Sequence, residues 1–165
     1  MADQSASKGS TGRRAEHFLR PKPRSTPCVG ICSTSHGDYV CRGCKRFFNE
    51  VRDWQSFEPD QRELVLNRLA QLKRDSIQAV VNVGDAQVLC RQTEAFVPAE
   101  AAGDMALRIY EALGRCNGDY EGWGLQPPVD VRGFEDPIEV LKTIETFFYD
   151  ASRNKFEQIY KIRPR

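Results

Sequence analysis

Four cysteines fall within seventeen residues, Cys28, Cys32, Cys41 and Cys44, in the pattern C-x3-C-x8-C-x2-C. Thiols this dense either cross-link as disulfides or close around a metal ion or cluster, and each choice dictates the local fold. Disulfide frameworks belong to secreted chains. The N-terminal stretch here has no apolar h-region, so no secretory signal is expected. No run of 18 or more apolar residues exists, so no membrane span is expected. In a reducing cytoplasm, two short-spaced cysteine pairs read as ligands. A glycine lies inside each pair, Gly30 and Gly43, where the backbone must turn tightly and can aim N–H groups at sulfur. Arg42, Lys45 and Arg46 stand beside the second pair and would offset the charge of four thiolates.

The expectation is therefore one metal centre held by Cys28, Cys32, Cys41 and Cys44. Spacings of two to four residues within each pair favour zinc. An iron–sulfur cluster also takes four thiolates and stands as the alternative. His36, in the loop between the pairs, is read as a solvated residue because four thiolates already complete a tetrahedral site. Cys90 and Cys116 are distant and single, and read as small buried hydrophobes.

Charge bounds the partners. The whole chain carries a formal +1, so no global nucleic-acid signature exists. The distribution is uneven, because residues 1–27 hold six Lys/Arg against two Asp/Glu. We read residues 1–26 as a disordered basic tail, ending in the stiff Pro21-Lys22-Pro23, that can touch RNA or an acidic protein.

Residues 27–75 are read as the four-cysteine module. Phe47, Phe48, Val51 and Trp54 recur at helical spacing, so a short helix should follow the second pair. These aromatics suit packing over the metal loops; stacking on nucleic acid is the sharper alternative for Phe47, Phe48 or Trp54. Arg42, Lys45, Arg46 and Trp54 are candidate partner contacts. A helix is expected over 59–75, with Pro59 in its first turn and Val65, Leu66, Leu69 and Leu72 as its stripe. Arg62, Arg68, Lys73 and Arg74 should lie mostly outside that stripe.

Residues 76–165 are read as an α+β region. Ile77–Val83 is β-rich, Gly84-Asp85 is a turn signal and 86–91 is a second strand candidate, so a hairpin is expected. A helix should span 99–113 and end at Gly114, and Asp136-Pro137 should open another through Ile138, Leu141, Ile144 and Phe148. The glycine-rich stretch 117–124 matches no phosphate-loop pattern. The fold class expected is thus α+β: a metal-stapled cysteine module, then a hairpin and two or more helices.

The segments Thr26-Pro27-Cys28-Val29-Gly30-Ile31-Cys32, Val40-Cys41-Arg42-Gly43-Cys44-Lys45-Arg46 and Asn49-Glu50-Val51-Arg52-Asp53-Trp54 resemble the bacterial domain-of-unknown-function family 1289. That family has a Pro-Cys-x-Gly-x-Cys start, a Cys-x-Gly-Cys knuckle, a short helix closing on Trp and then an acidic helix start. The resemblance covers about residues 26–75. It departs where Glu58-Pro59-Asp60 replaces a common Ser-Asp-Glu helix start. It implies a small metal domain, described in the family as iron–sulfur, and says nothing about 76–165.

With two histidines, His17 in the tail and His36 in a loop, no acid–base or nucleophilic constellation suggests itself. We expect a non-enzymatic cytoplasmic module that binds a protein or nucleic acid through the tail and the exposed face of the 59–75 helix. The alternative is an iron–sulfur protein that carries electrons or senses redox state.

Overall fold

The computed structural model describes residues 26–160, which leaves the basic tail outside the described residues. Five α-helices follow one another: α1 (Phe48–Arg52), α2 (Pro59–Val80), α3 (Ala86–Thr93), α4 (Met105–Leu113) and α5 (Pro137–Tyr160). Short 3-10 turns lie at Ser33–His36, Trp54–Ser56, Ala99–Ala101 and Glu121–Trp123. Among the described residues the only extended pairings are two isolated antiparallel bridges, Val40 with Phe47 and Val83 with Leu125. The fold is all-α, not α+β.

The hairpin expected over 77–91 is replaced by helix on both sides of a short link. Ile77 and Val81 extend the buried stripe of α2, after Leu69 and Lys73, at four-residue steps. Packing of that stripe overrides the β-propensity of Ile77 and Val80, while Val81 is extended and Val83 pairs with Leu125 beyond the helix end. Gly84-Asp85 is a helix start: the Asp85 carboxylate accepts from the amides of Gln87 and Val88, an N-cap for α3. The other helix ends follow their sequence signals. Glu58 N–H donates to the Gln61 side chain ahead of Pro59, Asp104 caps α4, and Asp136 accepts from Ile138 N–H at the start of α5. The boundary expected at 75/76 falls inside α2.

α5 is the spine. Val140, Ile144, Phe148, Ser152 and Phe156 are buried at four-residue steps along one face. Val140 and Ile144 join the main core with Ile77, Leu89, Leu107 and Leu113. Phe148 joins Trp54, Val65 and Leu69, and Phe156 joins Val40 and Phe47. One helix face thus runs from the α3–α4 core to the cysteine loops. No helix among the described residues is long and apolar enough to cross a membrane.

The stripes of α2 and α5 each carry a polar interruption. Lys73, expected mostly outside the stripe, is 0% exposed. Its Nζ donates to Glu145 Oε1 at 2.5 Å, and Lys45 Nζ donates to the other oxygen of that carboxylate. Both ammonium groups also lie over the Phe148 ring, 5.4 and 5.3 Å from its centroid. Ser152, equally enclosed, donates to the Lys45 carbonyl at 2.7 Å. Both polar interruptions therefore lead to Lys45, the residue after Cys44.

Burial lowers the pKa of Lys73, against the pull of Glu145, so enclosing this ammonium costs stability and the carboxylate limits that cost. Burial pushes the Glu145 carboxyl up, but Lys73 and Lys45 outweigh it and hold the carboxyl below its ordinary range. A depressed carboxyl stabilises the fold above its unfolded pKa, about 4.3 for Glu, and loses that contribution as pH falls through the folded value. We predict that Glu145→Gln, which leaves two ammonium groups facing a neutral amide, destabilises the protein by about 3–5 kcal/mol. Urea unfolding at pH 7 checks the loss, and the same titration below about pH 4.3 should show a shallower acid decline in the variant.

Candidate metal centre

The cysteine region has few apolar side chains and is built from turns. Cys41 N–H donates to the Arg46 carbonyl at 2.9 Å and Lys45 N–H to the Cys41 carbonyl at 2.8 Å, which closes the Cys41–Cys44 knuckle. Lys45 sits in the left-handed region (φ 59°), uncommon for a non-glycine residue. Its Glu145 and Gly43 contacts and the Ser152 bond hold it there. The turn Ser33–His36, ended by Gly37 at φ 95°, covers one side. Ser33 Oγ accepts from Arg42 N–H at 2.9 Å, and Arg42 Nε donates to Asp38 at 2.9 Å. On the other side α2 grips α1. Arg68 forks onto the Glu50 carboxylate at 2.5 and 2.8 Å and lies 3.8 Å from the centroid of Phe47.

The two cysteine loops are pressed together. A Cβ built on Gly43 would come within 2.5 Å of Val29 Cγ2 and 3.0 Å of the Ile31 carbonyl oxygen. Glycine is thus required at 43 for close approach. At 30 it answers a backbone need, since Gly30 has φ 95° with open space around it.

Cys41 and Cys44 are both buried, and the Cys41 thiol lies 3.9 Å from the Ile31 carbonyl oxygen. The neighbouring Cys44 side chain lowers the Cys41 pKa to about 4 against burial, helped by the backbone at Cys44, Ser33 and Gly43. The Cys44 pKa is shifted up by the Cys41 side chain and by burial, against Arg46. Arg46 Nε donates to Cys44 Sγ at 3.4 Å, and its guanidinium lies 4.6 Å from the centroid of Trp54. Arg46 Nη1 is buried with no hydrogen-bond partner.

Cys28 is exposed, and Cys32, half-buried, shares a 2.9 Å hydrogen bond with Thr34 Oγ1. The structure brings two of the four proposed ligands together and sets the loop of the other two against them. Among the described residues no three His, Cys, Asp or Glu side chains are gathered as metal ligands. The donor chemistry nonetheless fits a soft-metal centre: a polarised thiol pair, amides aimed at one sulfur, and a buried guanidinium with a spare donor.

Of the four candidate partner contacts, Arg42 alone is on the surface. Lys45, Arg46 and Trp54 are buried and used internally. The role of Arg46 could have been read from position, since it lies between Cys44 and the aromatic run that ends at Trp54. His36 is exposed, Cys90 is half-buried, and Cys116 is buried with its thiol pushed up by burial. We predict that Gly43→Ala, which drives a methyl into Val29 and the Ile31 carbonyl, destabilises the protein by about 1–3 kcal/mol. Thermal unfolding of the variant beside Gly103→Ala, where nothing lies within 4 Å of an added Cβ, checks this.

Residues 26–73 match the model of a protein family of unknown function, DUF1289. The match covers the cysteine loops, α1 and most of α2. No curated protein and no solved structure matches the chain.

Proposed function

We propose that Cys28, Cys32, Cys41 and Cys44 hold one metal centre and that the protein is a non-enzymatic binding module built around it. The observation that carries this reading is Arg46. A buried guanidinium with an unpartnered Nη1 beside Cys44 is costly in a neutral pocket and favourable beside anionic sulfur. Closing the centre requires the Cys28–Cys32 loop to turn its two sulfurs toward the Cys41–Cys44 pair, against which it already packs.

When bound, the metal supplies a cross-link between two loops too poor in apolar side chains to hold each other. The chain's own residues do the rest. Backbone amides around Cys41 and the Arg46 guanidinium offset thiolate charge, while Lys45 fastens the knuckle to α5. A four-thiolate centre leaves no open position for water or substrate, which supports binding in preference to catalysis. The spacing within the pairs favours zinc. An iron–sulfur cluster with an electron-transfer or redox-sensing role is the second reading, favoured by the buried cation and amides facing sulfur, groups that also tune cluster potentials.

We expect protein purified without oxygen to carry one centre per chain by elemental analysis. Cys28→Ser, Cys32→Ser, Cys41→Ser and Cys44→Ser should each lose stoichiometric metal, while Cys90→Ser and Cys116→Ser keep it. Zinc gives a colourless protein and an iron–sulfur cluster a brown one. Full retention of metal in Cys41→Ser would overturn the assignment.

A further inference from the structure

The contacts of α5 change owner along its length. Up to Phe148 its buried face belongs to the helical body: Val140 and Ile144 lie in the main core, and Phe148 packs with Val65 and Leu69 of α2. Beyond Phe148, among the described residues, the hydrogen bonds and ring contacts that leave the helix go to residues 39–49, which carry the Cys41–Cys44 knuckle. Ser152 donates to the Lys45 carbonyl. Phe156 has Tyr39 stacked on it with centroids 5.5 Å apart, and meets Phe47 and Phe48 edge-on. Asn49 donates to the Tyr160 hydroxyl at 2.7 Å, and the Arg42 guanidinium lies 5.2 Å from the Tyr149 centroid.

That support is needed. An isolated helix shorter than about 12–15 residues is marginal in water, and the span 149–160 is no longer than that. Its two enclosed residues, Ser152 and Phe156, are buried against the knuckle stretch. The stretch 39–47 holds no helix of its own and is kept in shape by turns, with Lys45 in the left-handed region.

Resting on the metal centre proposed above, we infer that residues 149–160 are the element its occupancy controls: docked on the knuckle while the centre is closed, and released when it opens. The link is Lys45. It follows Cys44 directly, and its carbonyl and its ammonium both end on α5, at Ser152 and Glu145. A knuckle that has lost its metal cross-link relaxes Lys45 out of its uncommon conformation. Ser152 then loses its acceptor and Phe156 the rings that enclose it. Residues 137–148 stay in place, because Val140, Ile144 and Phe148 pack elsewhere and Lys73 keeps its bond to Glu145. The coupling is reciprocal: the factor by which a closed centre favours docking of 149–160 is the factor by which docking raises metal affinity.

The test is hydrogen–deuterium exchange on the full-length protein, purified without oxygen and compared with the same protein stripped by excess EDTA and dithiothreitol under argon. Metal content is measured on every sample. Exchange at 151–160 should rise at least about tenfold on stripping, while 105–113 and 140–147 stay within about twofold. With metal in place, Phe156→Ala and the milder Ser152→Ala should each speed exchange at 151–160. Both should also give up half of their metal at an EDTA concentration about fivefold or more below that for wild type. Leu64→Ala, at an exposed position on α2, should change neither readout. Wild type that carries metal but exchanges equally at 151–160 before and after stripping overturns this inference and leaves the metal centre standing. A rise spread evenly over 105–113 as well marks general unfolding and overturns it too. Wild type that carries no metal overturns both readings.

Discussion

Glu145 joins the two halves of this structure, because its carboxylate is shared by Lys73 on α2 and Lys45 on the knuckle. Neither lysine could be enclosed alone: a buried ammonium without a counter-charge would lose its proton or open the structure. Glu145 meets both, and the Phe148 ring lies beneath both. A further attachment of Lys45 is the Ser152 bond to its carbonyl, and Phe156 packs on Val40 and Phe47 beside it. Lys45 keeps an uncommon backbone conformation because its side chain and carbonyl are both secured to α5. The Cys41–Cys44 turn is consequently seated on the helical body and does not hang from it as a free loop.

That seating explains the chemistry available at the thiols. The turn aims amides at Cys41, and Arg46, one residue beyond Lys45, is placed against Cys44 with Trp54 behind it. Thiols so placed are polarised before any ligand arrives. Cys28 and Cys32 lie on the other loop, which meets the knuckle through Val29 and the Ile31 carbonyl at Gly43. If the four cysteines hold a metal as proposed, one pair is already seated and the other must turn toward it, so capture would be coupled to local ordering.

The close approach at Gly43 and the turn at Gly30 were legible in the sequence, and less of the fold was. Cysteine spacing and the two glycines speak for themselves because chemistry and close approach allow few substitutes. The cap at Asp136 and the proline starts of α2 and α5 were equally plain, whereas the helix expected from 99 starts only at Met105, after the Asp104 cap. The hairpin was misread for two reasons. Lys73 breaks the apolar stripe of α2, so the helix seems to stop near 75, although Leu69, Ile77 and Val81 keep the four-residue step. Asp85 can serve a turn or an N-cap, and only packing of Leu89 into the core selects the cap. The burial of Lys45 and Lys73 could not be read because their shared partner, Glu145, is remote in sequence. A lysine in a helical stripe signals an ion pair only once the facing helix is known.

The central claim is that four sulfurs surround one metal. X-ray absorption at the metal edge, on intact protein purified without oxygen, counts those sulfurs directly. The account predicts a first shell made of sulfur alone, with four scatterers at about 2.3 Å if the metal is zinc. A first shell containing nitrogen or oxygen donors, or only the two sulfurs of Cys41 and Cys44, would contradict it.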